Sequence, residues 1–257
     1  MRKINSLHFI AVAACLMAGG SVMAADSPAA APLDQRSYAG VLKGIEAFAA
    51  HRALAPNASL SFQLYPRRQG AGAVRPTLAI VSGGARAPLT LEADGSFKVP
   101  VRPDLNGPDA VLQSNQPEGS FAWRPVVRTP GLPAHVRRLG DLRLQCRVDL
   151  NAGLMVVPPS RANQALMASN PGRACEMSQA FYPIFADRPV FEVTLVSGSR
   201  RRVLLTQESL YGMGAPASRL PLLDWPHLRD RVVRLPLHDS AWPDDTQVVF
   251  EYLEPLP

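Results

Sequence analysis

The chain has 257 residues and a formal net charge of +6, enough length for one large β domain or two small ones around a sizeable core. Beyond the first two dozen residues no apolar run approaches the ~20 residues that a membrane-spanning helix needs, so a helical membrane protein is excluded and a soluble mature chain is expected. The basic excess is carried almost wholly by arginine. It points either to an anionic partner or to the codon bias of a chain rich in Ala, Arg, Pro and Gly, and the bias is the simpler account.

Residues 1–24 read as a signal peptide. Arg2 and Lys3 precede an apolar run from Leu7 to about Ala18, and Val22-Met23-Ala24 satisfies the small-x-small rule for cleavage after Ala24. A competing signal, Val12-Ala13-Ala14-Cys15, has the form of a lipobox that would make Cys15 a lipidated first residue. The short apolar stretch before Cys15 and the apolar stretch after it favour simple release. Removal of residues 1–24 lowers the formal charge from +6 to +4 and leaves Lys43 and Lys98 as the remaining lysines. The expected location is therefore periplasmic or secreted, where nucleic acid is not an expected partner.

The Ala- and Pro-rich residues 25–34 read as a leader. Within 35–54, Tyr38, Val41, Leu42, Ile45, Phe48 and Ala49 recur at helical spacing, which predicts an amphipathic helix closed by Pro56. From Leu60 the period changes to two. Leu60–Leu64, Thr77–Ser82, Ala110–Gln113 and Ser120–Val127 read as short strands. Leu89–Pro103 reads as two antiparallel strands around an Asp94-Gly95 turn. Strands at roughly ten-residue spacing between Gly and Pro signals predict an antiparallel sandwich.

Leu60–Leu64 followed by Pro88–Pro100 (PLTLEADGSFKVP) resembles the carboxypeptidase-regulatory-like, or transthyretin-like, β-sandwich domains, which often carry a strand, an Asp-Gly turn and a Phe-x-Val-Pro strand. The likeness covers about residues 60–103 and implies a transthyretin- or Ig-like sandwich. It also implies a non-catalytic accessory or binding module, with no site residues to carry over.

Thr129-Pro130-Gly131-Leu132-Pro133 is the expected boundary between a β-sandwich domain, 57–130, and a second mainly-β domain, 131–257. In the second, Leu139–Leu150 alternates Leu142, Leu144, Cys146, Val148 and Leu150 against polar residues and reads as a strand. Ser160 reads as the cap of a short helix over 161–169. Val190–Ser197, a Gly198-Ser199 turn and Arg202–Thr206 read as a hairpin, and Arg231–Leu237 and Thr246–Leu253 as closing strands.

Once Cys15 leaves with the leader, Cys146 and Cys175 remain as an even pair, read as a disulfide in an exported chain. Neither a CxxC spacing nor a histidine close in sequence supports a metal site or a nucleophilic thiol, and no cofactor is implied. No GxSxG elbow, HExxH pair or nucleotide-binding glycine loop is present. Two clusters merit attention. Asp224, His227, Asp230, His238, Asp239, Asp244 and Asp245 gather acids and imidazoles, from which a metal site, with Asp244 and Asp245 as oxygen ligands for Ca²⁺, or a hydrolase-type acid/base site could be assembled, against the ordinary role of Asp in turns before strands. Arg67 with Arg68, Arg137 with Arg138, and Arg200, Arg201 and Arg202 offer bidentate grips for phosphate or carboxylate, against an ordinary role as solvated loop ends. The expectation is an exported binding or assembly module of the bacterial envelope, recruiting an envelope protein or an anionic cell-surface polymer by an exposed edge strand or the arginines. The alternative is a periplasmic hydrolase using groups within Asp224–Asp245.

Overall fold

A computed structural model of the chain describes residues 31–67, 74–155, 164–165, 168–177, 182–210 and 230–253. In chain order the elements are β1 (Leu33–Ser37), α1 (Tyr38–Ala50), β2 (Ser59–Pro66), β3 (Leu78–Ser82), β4 (Ala85–Leu89), β5 (Ser96–Phe97), β6 (Val111–Pro117) and β7 (Phe121–Arg128). They continue with β8 (Val136–Arg138), α2 (Leu139–Ala152), β9 (Pro183–Phe185), β10 (Val190–Ser197), β11 (Arg200–Leu204), β12 (Val232–Arg234) and β13 (Gln247–Tyr252). The protein is mainly β, with several antiparallel sheets. Their strand orders are β1-β6-β3-β4, β5-β2-β7, β11-β10-β13-β8 and the pair β12-β9.

Three apolar clusters among the described residues organise these sheets. One gathers Tyr38 and Val41 of α1 with Phe62 and Leu64 of β2, Ile80 of β3, Leu112 of β6 and Trp123 of β7, so two sheets and a helix share it. A second joins Leu142, Cys146 and Leu150 of α2 to Val193, Leu195, Leu204, Val248 and Phe250 of the β11-β10-β13-β8 sheet. A third, between α1, α2 and β7, contains Phe48, Val127, Leu144 and Val148.

Helix α2 is the correction that matters most, since residues 139–150 read as a strand in the sequence. Every residue of it is at least half-buried, and Asp141, Arg143, Gln145 and Asp149 each take part in side-chain hydrogen bonds. Leu142, Cys146 and Leu150 form one apolar face, Leu144 and Val148 another, and Asp141, Gln145 and Asp149 a third at spacing i, i+4, i+8. Alternation of apolar and polar residues normally marks a sheet with one wet face. Here it arises because a helix enclosed on all sides still needs partners for its polar stripe. The first α2 amides are met by the loop before β13: Leu139 N–H donates to Thr246 O and Gly140 N–H to Asp244 O, both at 2.9 Å. The helix ends at Gly153, in the left-handed conformation.

Helix α1 lies closely on α2 because its facing positions are Gly40 and Gly44. A Cβ on Gly40 would sit 2.8 Å from Ala152 O, and one on Gly44 would sit 2.8 Å from the Ala152 Cβ. Ser37 caps α1, its Oγ accepting from Gly40 N–H at 3.1 Å.

The turn at Asp94-Gly95 forms, with Glu92 N–H donating to Ser96 O and Ser96 N–H to Asp94 Oδ1. Its arms part, however. Leu89 belongs to β4 and pairs with β3, whereas Phe97 pairs with Phe62 of β2, and a single Leu91–Phe97 bridge joins the two sides. Of the expected 161–169 helix, Gln164, Ala165, Ala168 and Ser169 are helical and the remainder lies outside the described residues.

Candidate functional site

Strand β7 is an edge of its sheet, and side chains close that edge. Its outward amides at Phe121, Val127 and Thr129 donate to Asp34 Oδ2 at 3.0 Å, Gln145 Oε1 at 3.3 Å and Asp141 Oδ2 at 2.9 Å. Pro125, on the same side, has no N–H to satisfy. Arg137 of β8 supplies the matching donor, bonding Val127 O at 2.6 Å and Gln145 Oε1 at 2.8 Å. Two strand residues advance about 6.6 Å and four helix residues about 6.0 Å, so the α2 stripe runs in step with the β7 edge.

At the end of this seam Arg124 Nη1 donates to Asp149 Oδ2 at 2.7 Å, and Tyr182 Oη donates to the same oxygen at 2.9 Å. Burial raises the Asp149 carboxyl above the usual carboxylate range, opposed by the Arg124 charge. Burial, together with the neighbouring carboxylate, raises the Tyr182 phenol well above its ordinary value. Burial also lowers Arg137 to about 10, which leaves it protonated at neutral pH. Enclosed and bonded to backbone and Gln145, Arg137 presents no donor to a solvent anion, contrary to its reading as an anion-binding residue.

A cleft of about 410 Å³ opens beside the middle of α2. It is lined by Arg143, Arg147, His238, Ser240, Trp242 and Asp244, among others, so part of the Asp/His segment does converge with two arginines. Most of this polarity is already committed. Arg143 donates to Leu237 O at 2.8 Å, Asp239 O at 2.8 Å, Trp242 O at 3.0 Å and Asp244. Arg147 pairs with Glu176. Asp239 Oδ1 accepts from Ala241 N–H, so it shapes its own turn. Asp224 and His227 lie outside the described residues, and no group of three metal-ligating side chains occurs among the described ones. Cys175 lines the same cleft and is at disulfide distance from Cys146, with an S–S separation of 2.09 Å, tying the segment Pro171–Glu176 to α2.

The remaining arginines divide sharply. Arg67 follows β2, its N–H donating to Ser120 O, and Arg68 lies outside the described residues. Arg138 is half-buried at the start of α2, opposite Gln247. Arg200 stacks on the Trp242 ring at 3.8 Å and donates to Ala241 O at 2.9 Å. Arg201 and Arg202 are exposed and make neither an ion pair nor a side-chain hydrogen bond among the described residues.

These last two sit on β11, the outer strand of the β11-β10-β13-β8 sheet. The strand is fixed at one end by the Arg200–Trp242 stack and at the other by Leu204, buried in the core. Val203 and Leu205 beside them are 42% and 59% exposed, and Phe191 of the neighbouring β10 is 57% exposed. The sequence shows the arginine run and the hairpin as separate features. That the run lies on a sheet edge next to open apolar side chains follows from the strand order. An unpaired edge offers backbone donors and acceptors in a row, so this arrangement can hold a polypeptide or an anion.

The fold and this edge define a mainly-β protein with an arginine-bearing outer strand that is unpaired on one side among the described residues. No family model, no curated protein and no solved structure matches the chain.

Proposed function

We propose that the protein is an exported, non-catalytic binding or assembly module of the bacterial envelope, and that β11 is its recruiting surface. The observation that carries this reading is the edge itself: Arg201 and Arg202 without a side-chain partner among the described residues and Val203 exposed, on a strand anchored at both ends, with exposed Leu205 just past it. Sandwich-like packing fits the cluster shared by the β5-β2-β7 and β1-β6-β3-β4 sheets, consistent with the accessory role of transthyretin-like modules. Export rests on the n-region, apolar run and Ala24 site, with lipidation at Cys15 as the competing outcome. N-terminal sequencing of the mature protein and labelled fatty-acid incorporation decide between them.

The test is affinity capture from a native envelope extract, at low and high salt, with the mature chain and with Arg201→Glu/Arg202→Glu. A partner held by the parent at both salts and lost by the variant supports the reading. No partner, or one indifferent to the variant, overturns it.

The hydrolase reading rests on His238, Ser240 and Asp244 sharing one cleft. Asp244 is occupied by Arg143 there, which weakens it as a base. Turnover of a model ester, glycoside or peptide that His238→Ala abolishes would establish that reading instead.

A further inference from the structure

We propose that the occupant of β11 is an extended polypeptide strand that adds antiparallel to it and carries the pattern apolar-acidic-acidic. This deepens the recruiting-surface reading and rests on it.

The hairpin fixes which backbone groups are available. Ser197 and Arg200 flank the two-residue loop Gly198-Ser199 and are direct partners, so they form a hydrogen-bonded pair, as do Leu195 with Arg202 and Val193 with Leu204. The N–H and C=O groups of Arg201 and Val203 therefore point away from β10, toward the side on which no strand pairs with β11 among the described residues. Side chains alternate in the other sense. Leu204 enters the core and Arg200 stacks on the core residue Trp242, so Arg202 lies on that face, while Arg201 and Val203 lie together on the opposite one.

Charge decides the class of partner. A second copy pairing β11 with β11 would oppose arginine with arginine across the new ladder, which is unfavourable, and each copy is already basic. Charges alone would blunt an edge, whereas this one sets the guanidinium groups of Arg201 and Arg202 beside exposed Val203, with exposed Leu205 just past the strand. An added strand meets Val203, Arg202 and Arg201 in that order along its own direction, if antiparallel. Complementarity then requires an apolar residue followed by two acids. Within that triplet the first and third residues turn their backbone toward β11, and the middle one turns away.

The probe is a fluorescent, end-capped octapeptide with Val-Glu-Glu at its centre in a threonine background, titrated against the full mature chain by anisotropy. Expected results are binding to the parent and at least a tenfold loss with Arg201→Glu/Arg202→Glu. N-methylation of the Val or the second Glu should cause a similar loss, and N-methylation of the middle Glu little change. Equal binding of the reversed Glu-Glu-Val peptide, equal effects at all three N-methyl positions, or equivalent competition by dextran sulfate would overturn strand addition and leave charge attraction. No binding of the peptide, alongside envelope capture that the double variant abolishes, overturns the strand proposal alone. No binding in either assay overturns the recruiting surface with it.

Discussion

Arg124 and Asp149 form an ion pair of 2.7 Å between β7 and α2, with side chains 7% and 0% exposed, and Tyr182 closes over it with a second bond to the same oxygen. The second carboxylate oxygen, Oδ1, has no hydrogen-bond partner among the described residues. Such a pair offsets two desolvated charges against one another, and its worth shows when one member is removed. Asp149→Ala should lower unfolding free energy by about 3–5 kcal/mol in urea titrations, because Arg124 is then buried uncompensated. The double replacement Arg124→Met/Asp149→Leu should recover much of that loss. A double variant no more stable than the single one would refute the electrostatic account.

Two carboxylates should titrate on opposite sides of the ordinary range. Hydrogen bonds from Ser96 hold Asp94 low, whereas burial pushes Asp149 up. Asp94 therefore contributes stability that is present above its unfolded-state value and lost as pH falls through its lowered folded value. Asp149 works in the other direction, its contribution present below its unfolded-state value and lost as pH rises through the raised folded one. Carboxyl carbon NMR titration of the folded protein checks the order: Asp94 must protonate last on acidification, and Asp149 well before it.

Gly140, at the start of α2, has no room for a side chain, since a Cβ there would overlap Leu54 O and lie 2.9 Å from Asp244 Cβ. Gly140→Ala should destabilise by about 1–3 kcal/mol through overpacking, read as a lowered thermal midpoint. An unchanged midpoint would mean the 54–55 backbone yields freely.

The Cys146–Cys175 bridge closes a segment with a sequence separation of 29. In the chain-entropy model, loss of the cross-link by Cys175→Ser/Cys146→Ser should cost about 3–4 kcal/mol. In the oxidised protein neither thiol should react with a maleimide before reduction, and labelling of both without reductant would contradict the bridge.

Arg201→Glu/Arg202→Glu should leave stability within about 0.5 kcal/mol of the parent, because neither side chain has a partner to lose among the described residues. Circular-dichroism melts check this. A large drop would place these residues in the fold's support rather than on its recruiting edge.

Local signals in the chain were sufficient where local rules apply. Period-two runs at 60–64, 77–82, 120–127 and 190–197 coincide with β2, β3, β7 and β10, because a half-buried strand writes its own alternation. The Gly198-Ser199 turn was legible for the same reason, and the cysteine pair because two cysteines remain once Cys15 is set aside with the leader. Helix α2 was not legible, because its alternation reflects three surroundings at once: two apolar clusters and the β7 edge that Asp141 and Gln145 complete. Nor was the divergence of Arg137 and Arg201, residues of one type in similar basic runs. One is buried against Val127 O and the other left on an open edge, and strand order alone separates them. By itself the sequence determined several of the extended segments, such as β2, β7 and β10, and the turn at Gly198-Ser199, since those depend on neighbours in the chain. Only the tertiary structure decided which edges are sealed, which helix is enclosed and which arginines remain free, since burial and hydrogen-bond satisfaction depend on residues far apart in sequence.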